Sequence, residues 1–351
     1  MSGSVAVFVD APDWHGRRLE AALRRRGASA VWLSLKDCGF ATAASGGLSL
    51  PGFADALPAG ALVRSVPAGS FEQVTMRLGV LHALGAAGVP VCNDARAIER
   101  CVDKSTTSFL LHRAGIPTPP TWAAESVERA RALVRAEARP GRPLVLKPLF
   151  GAQGRGLLLI EDADALPPPE AVGGVYYLQH FVASAGAGWR DWRAFVVGGR
   201  TVAAMIRHGA SWRTNACRGA RCEGVAPEGD IAELATAAAA AVGADYAGVD
   251  IIRDAGGSPF VLEVNSMPAW KALQGVSAVD IAQALVDEFV TRLRPAEALA
   301  KADRNRARKS STSAWAMSTV ETPCSAFQAG MLLTSSTRAR PPASRMISTP
   351  A

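Results

Sequence analysis

The chain alternates short apolar runs with amphipathic segments, and these two periods predict where strands and helices lie. Val5 to Val9 is an unbroken apolar run closed by Asp10, which predicts a buried strand over Ser4 to Asp10. Leu19-Glu-Ala-Ala-Leu23-Arg-Arg-Arg-Gly27 has helical spacing, with Gly27 as its stop. Further strands are predicted at Ala30 to Leu35, Ala61 to Val66 and Val89 to Cys92, with a helix over Phe71 to Leu84. This alternation predicts a parallel α/β domain over residues 1–100.

Asp94 to Arg113 reads as one helix, broken by Ala114-Gly-Ile-Pro-Thr-Pro-Pro-Thr121. After a helix at Val127 to Ala138, a strand ending in Lys147-Pro148 leads into Gly151-Ala-Gln-Gly-Arg-Gly156 and another strand, Leu157 to Ile160. Val175 to Val182 is an apolar strand. Asp191 to Arg200 and Thr201 to Arg207 form a hairpin turning at Gly198-Gly199, with Arg193 and Arg207 emerging from its strands. Helices are predicted at Ile231 to Val242 and Ala278 to Leu293.

Between those helices, Val249 to Ile252 and Phe260 to Val264 flank the turn-forming Asp254-Ala-Gly-Gly-Ser-Pro259. A ladder symmetric about Gly256 and Gly257 sets Ile252 opposite Val261 and Asp250 opposite Glu263, with Asn265 two residues on along the same face. Two facing carboxylates repel, so positive charge is expected there. An all-oxygen set of Asp, Glu and Asn suits a hard cation such as Mg²⁺; the alternative is a surface hairpin carrying ordinary charges.

Composition narrows the class. The 351 residues suffice for two or three domains, and 49% hydrophobic with 20% charged content is globular. The net charge of +7 is local: from Lys301 onward there are eight basic and two acidic residues, so the body is close to neutral and gives no argument for nucleic-acid binding. That Ser-, Thr-, Arg- and Pro-rich tail is expected to be disordered. No membrane span or signal peptide is expected, and the six scattered cysteines read as reduced thiols of a cytoplasmic protein. Cys217 and Cys222 with His208 lack a fourth ligand and regular spacing for zinc.

Two nucleotide motifs fail on context. Lys104-Ser-Thr106 lacks the upstream glycines of a P-loop, and the 151–156 glycines continue into a strand, with Leu159 where a dinucleotide fingerprint needs its third glycine. The glycine loop reads instead as a hairpin lid that can lay backbone N–H groups over phosphates, with Lys147 as a point charge beside them.

Taken in order, Asp103-Lys104, Lys147-Pro with the glycine loop, Gln179-His-Phe-Val182, Asp191-Trp-Arg193, Arg207 with Arg213-Thr-Asn215, Gly248-Val-Asp250 and Glu263-Val-Asn265 resemble the ATP-grasp superfamily. The resemblance is strongest to its RimK-type glutamate ligases and runs from about residue 60 to 295. It implies an ATP-grasp fold of α/β lobes behind an N-terminal parallel α/β domain: residues 1–100, a small lobe 101–182 with the glycine loop, a large lobe 183–298 with the metal site, and the tail 299–351.

The resemblance also implies roles. Lys104 and Lys147 contact ATP phosphates, and Gly151, Gln153, Gly154 and Gly156 close over them. His180, Phe181 and Val182 hold adenine, Asp191 lies near the ribose, and Arg213, Thr214 and Asn215 approach the nucleotide. Asp250, Glu263 and Asn265 bind two Mg²⁺, with Mn²⁺ as a substitute, while Arg193 and Arg207 stabilise the substrate carboxylate and the transferred phosphoryl group. The chain departs from the family pattern at His180, usually acidic, and at Met267-Pro-Ala269, usually Ser-Pro-Gly.

The implied activity is an ATP-dependent carboxylate–amine ligase working through an acyl phosphate. Its expected partners are ATP, L-glutamate and a small-molecule acid such as a pterin or deazaflavin cofactor precursor, with no nucleic acid or membrane and with homo-oligomerisation left open. Other readings are a ligase that modifies a ribosomal or amino-acid carrier protein, and a catalytically silent ATP-binding regulatory module.

Overall fold

The computed structural model describes residues 3–293 except 45, 54–55, 152–153, 185–187 and 216–218, so Gln153, Cys217 and the 299–351 tail lie outside the described residues. The first sheet is built from β1 (Ser4–Phe8), β2 (Ser29–Leu33), β5 (Gly60–Val63) and β6 (Val91–Cys92), all parallel, in the order β2-β1-β5-β6. Helix α1 (Trp14–Arg25) joins β1 to β2, a small hairpin of β3 (Gly39–Phe40) and β4 (Leu48–Ser49) precedes β5, and α2 (Phe71–Ala86) joins β5 to β6. The Asp13 carboxylate accepts the Gly16 N–H at 2.7 Å to start α1, and Ser70 and Gln73 form a reciprocal capping box on α2.

The single helix expected over Asp94 to Arg113 is two, α3 (Ala95–Val102) and α4 (Lys104–Arg113). Asp103 is extended, and its carboxylate accepts the Ser105 and Thr106 N–H groups at 2.9 and 3.2 Å. The periodicity that suggested continuity missed this cap, which sets Lys104 at a helix N-terminus.

A second, antiparallel sheet follows in the order β7-β10-β8-β9: β7 (Thr121–Ala124), β8 (Leu144–Lys147), β9 (Leu158–Ile160) and β10 (Tyr176–His180). Ala130 and Val134 of α5 (Val127–Glu137) pack on its Leu144, Leu146, Tyr176 and Leu178. The glycine loop spans the β8–β9 hairpin, as its sequence predicted.

The third sheet, β13-β12-β11-β14-β15, is antiparallel throughout. Its strands are β11 (Trp189–Val197), β12 (Arg200–Gly209), β13 (Arg221–Val225), β14 (Tyr246–Arg253) and β15 (Pro259–Asn265). Gly198 and Gly199 turn the β11–β12 hairpin with φ of 54° and 73°, the pair of positive values a two-residue turn of this hand requires. Strand alternation splits the side chains between two cores. Ala194, Val196, Val249, Val261 and Val264 face α6 (Gly229–Val242), whereas Phe195, Met205 and Tyr246 face Trp270 and α8 (Ile281–Val290).

The second of these cores also takes in Val5, Val7, Leu19 and Leu23, so it joins the first sheet to the third. Short α7 (Lys271–Gln274) adds Leu273 to it. Leu111 of α4 and Ile116 pack with α6 on the third sheet, although they lie in the stretch expected to belong to the small lobe. Among the described residues no helix is long and apolar enough to cross a membrane.

Candidate active site

A cleft open to solvent separates the second and third sheets. One wall carries Lys147 and Gln179 from β8 and β10; the other carries Asp191, Arg207, Asp250 and Glu263 from β11, β12, β14 and β15. Lys104 closes one end, Gly151 and Gly154 form an edge, and Trp212 to Asn215 face them.

Ladder register assembles the charged wall. Asp191 is the cross-strand partner of Arg207, and Arg193 that of Asp250. Arg207 Nε donates to Asp191 Oδ1 at 2.7 Å, while its Nη2 donates to Asp191 Oδ2 and, at 2.9 Å, to Asp250 Oδ1. Arg193 donates from Nε to Asp250 Oδ1 and from Nη2 to Oδ2 at 2.7 Å. Burial alone would raise the Asp250 carboxyl, but Arg193 and Arg207 outweigh it and hold the carboxyl below the ordinary aspartate value. Burial raises the Asp191 carboxyl and, with the neighbouring Asp250 charge adding to it, outweighs the Arg207 that Asp191 shares and its hydrogen bond with Thr214. Burial would lower Arg207, yet Asp250 and Asp191 hold its proton more tightly than an ordinary arginine's.

The opposite wall is cationic. Lys147 Nζ donates to Gln179 Oε1 at 2.6 Å. Burial, with Lys104 adding to it and Glu263 and Asp250 opposing, lowers Lys147 from 10.5 to about 8. Lys104 Nζ donates to the Gly151 carbonyl at 2.8 Å and stands 3.6 Å from Glu263 Oε1, tying the glycine loop to β15.

His180, Phe181 and Val182 line the cleft where β10 ends. His180 Nε2 is 3.4 Å from Glu137, and the Phe181 ring meets Trp189 and Trp212 edge-on at 5.8 and 6.0 Å. Arg213 lies 4.9 Å over Trp212 and donates to the Leu157 carbonyl. Gly154, at φ 65°, leaves no room for a side chain: a Cβ there would come within 2.2 Å of Asn215 Oδ1.

The structure therefore gathers at the cleft Lys104, Lys147, Gly151, Gly154, His180, Phe181, Val182, Asp191, Arg207, Arg213, Thr214, Asn215, Asp250 and Glu263. Gly156 packs toward Pro148, Arg193 lies behind Asp250, and Asn265 donates from Nδ2 to the Gly248 carbonyl at 3.2 Å; none of these three lines the cleft. Asp191, expected beside a ribose, is 4% exposed and spends its carboxylate on Arg207. Sequence reasoning did not assign Gln179, Trp212, Ile252 or Leu262 to the site. Ile252 could have been found from its place two residues beyond Asp250 on the same strand face.

The positive charge demanded by the Asp250–Glu263 pair comes from side chains here, Arg193 and Arg207 on one carboxylate and Lys104 on the other. Among the described residues no three His, Cys, Asp or Glu side chains gather as a metal cluster. The oxygen donors still fit a hard cation that keeps phosphate and water ligands. Glu263 opens to the cleft, and of the four lone-pair sites on Asp250 the guanidiniums occupy three, leaving one on Oδ2.

A family model described as the RimK-like ATP-grasp domain matches residues 101–289. The tetrahydromethanopterin:α-L-glutamate ligase of Methanosarcina acetivorans is 32% identical over 323 residues, covering 80% of this chain and 96% of the relative. A probable α-L-glutamate ligase 2 of Hahella chejuensis is 36% identical over 63% of this chain and 76% of its own length. Among solved structures, the ATP-grasp ligase PsnB complexed with a minimal precursor, Mg and ADP superposes with a TM-score of 0.64 at 21% identity, covering 83% of this chain and 97% of PsnB. The D-cycloserine synthetase DcsG gives 0.62 at 20% identity, covering 83% and 100%. These two likenesses show the fold, and the family match with the methanogen relative's near-complete coverage shows the lineage: the chain belongs to the RimK-like ATP-grasp family of ligases.

Proposed function

We propose that this protein uses ATP to join the amino group of L-glutamate to a carboxylate of a pterin-type acid. The observation that carries the reading is the cleft itself: two lysines beside a glycine loop face Glu263, Asp250 and Arg207 across it. The methanogen relative, named for glutamate addition to a pterin and covered over 96% of its length, supplies the substrate class.

The residues divide the work between binding and charge stabilisation. Lys104 and Lys147 offer ammonium groups to the phosphates, and the Gly151–Gly156 loop covers them. His180 to Val182, with Trp212 and Arg213, form the adenine end. Arg207 is the cation at the floor, held by Asp191 so that its remaining donors face the reacting oxygens; Arg193 fixes Asp250 from behind. Glu263 and Asp250 would hold Mg²⁺, replaceable by Mn²⁺, which neutralises phosphate charge when bound; a second ion would need the amide oxygen of Asn265, which stands outside the cleft lining.

In the first step a carboxylate oxygen of the acid attacks the γ-phosphorus and ADP leaves. The glutamate amine then attacks the acyl carbon, phosphate leaves, and the amine proton passes to solvent. Both steps build negative charge on oxygen, which Arg207 and the lysines stabilise.

ADP release, followed with ATP, Mg²⁺ and L-glutamate against a panel of pterin acids, tests the reading. Release with a pterin acid supports it. Release only with a ribosomal or carrier protein would move the acceptor assignment, and nucleotide binding without release under any condition would leave a regulatory module.

A further inference from the structure

In the first sheet the strand order reverses between β1 and β5, and open parallel sheets bind ligands outside the carboxyl ends of their strands at such a reversal. Arg64 follows β5 directly, while Asp13 and His15 stand where β1 leads into α1. Arg64 is 8% exposed; its guanidinium lies 4.5 Å over the Trp270 ring and within hydrogen-bonding reach of the Tyr246 hydroxyl.

Its Nε and Nη1 are buried without an acceptor, and so is the Trp270 indole N–H. The Asp13 carboxylate lies near enough to feel the Arg64 charge, but among the described residues no carboxylate stands within ion-pair distance of Arg64. His15 accepts the Trp270 backbone N–H on Nε2 at 3.1 Å and donates from Nδ1 to Asp13 at 2.8 Å, which fixes Trp270 and leaves the imidazole neutral. Three buried donors on one stacked pair are costly while unpaired, and a ligand that only accepts hydrogen bonds relieves them.

The loop that carries Trp270 reaches the back of the cleft's carboxylate wall. Trp270 ends the loop that follows β15, and Pro268 of that loop sits on Gly248, where an added Cβ would lie 2.7 Å from Pro268 and 3.1 Å from Arg193 Nη1. Arg64 and the Arg193–Asp250 pair thus flank one short segment.

We propose that Arg64 and the Trp270 indole form a carboxylate subsite that anchors a non-reacting carboxylate of one of the two acidic substrates, glutamate or the acceptor acid. Which substrates those are rests on the ligase reading above; that a carboxylate binds here does not.

Calorimetry on the full chain, loaded with Mg²⁺ and a non-hydrolysable ATP analogue, is the test, with L-glutamate and tetrahydrofolate titrated separately. Arg64→Gln is expected to weaken one of the two by about tenfold or more while nucleotide affinity stays within about twofold. Loss for L-glutamate assigns the amine substrate; loss for tetrahydrofolate assigns the acceptor. Trp270→Phe, which keeps the ring over Arg64 and removes only the N–H, weakens the same ligand about fivefold. Unchanged affinities for both acids in both variants, or wild-type protein that binds neither acid, overturn the proposal. A failed ligase reading looks different: wild-type protein binds an acid through Arg64 yet releases no ADP.

Discussion

Asp250 and Glu263 face each other across the β14–β15 ladder only because Leu262 is an extra residue between them. Nearer the turn the ladder differs from the symmetric register expected from the sequence, since Ile251 and not Ile252 pairs with Val261, and Ile252 with Phe260; past Leu262 the register shifts by one and Asp250 meets Glu263 as expected. Without that bulge Glu263 would stand opposite Val249, whose side is buried against α6. Glu263→Gln is therefore expected to cut ADP release by about a hundredfold or more while thermal unfolding stays within a few degrees of wild type. Near-normal turnover in that variant would remove Glu263 from the chemistry.

Arg207 is the shared partner of two buried carboxylates, so its loss leaves charge unpaired in the sheet. Arg207→Met is expected to cost about 3–5 kcal/mol in chemical denaturation, and adding Asp191→Leu to return part of it. A single-variant cost below about 1 kcal/mol would contradict the network as described.

Lys147 sets a pH dependence. Its pKa is depressed from 10.5 to about 8 by burial, so its contribution to folding stability is fully present above the unfolded value and is lost as pH falls through the folded one. Stability due to this residue thus rises between about pH 8 and 10.5. Nucleotide binding runs the other way, because phosphate needs the charged ammonium: the dissociation constant is expected to increase as pH rises through about 8, and Lys147→Arg to flatten the profile. A wild-type profile already flat across that range would contradict the assignment of Lys147.

Asn93 joins β6 to the third sheet. Fully buried, its Nδ2 donates to the Tyr246 and Ser266 carbonyls at 2.7 and 2.6 Å, and its Oδ1 accepts the Asp245 and Tyr246 N–H groups at 2.6 and 3.1 Å. Asn93→Ala leaves those backbone groups without partners and is expected to lower unfolding free energy by about 2–4 kcal/mol, read from the denaturant midpoint.

Gly154→Ala tests the approach of the glycine loop to Asn215. The added Cβ meets the Asn215 carboxamide, so the expected effect is a KM for ATP raised about tenfold or more, with the unfolding midpoint little changed. Unaltered ATP kinetics would show that the loop does not need this approach.

Much of the fold was legible because its strands and helices follow apolar periods of two and about 3.6, and the hairpin turns at Gly198-Gly199 and before Pro259 carry glycines. What stayed hidden depended on single residues or on partners distant in sequence. Asp103 interrupts a helical pattern only through its own side-chain cap. Strands β7 and β13 are short, and Arg221 to Val225 shows no alternation; both form because β10 and β12 offer them an edge. The Asp191–Arg207 pair needed a bulge as well: Val197 pairs with Arg200 and Val196 with Thr201, but Phe195 pairs with Ala203, and that one-residue shift sets Asp191 opposite Arg207 rather than Ile206. The residue types at the site and the facing of Asp250 and Glu263 were readable, whereas the Asp191–Arg207 ion pair was fixed by a bulge that no hydrophobic pattern marks.

The most direct test of the central claim is mass spectrometry of a pterin acid incubated with the full chain, ATP, Mg²⁺ and L-glutamate. The predicted result is one glutamyl residue added per ADP formed, with no product from Glu263→Gln. ATP consumed at the same rate without any glutamyl product on the pterin acid would contradict it.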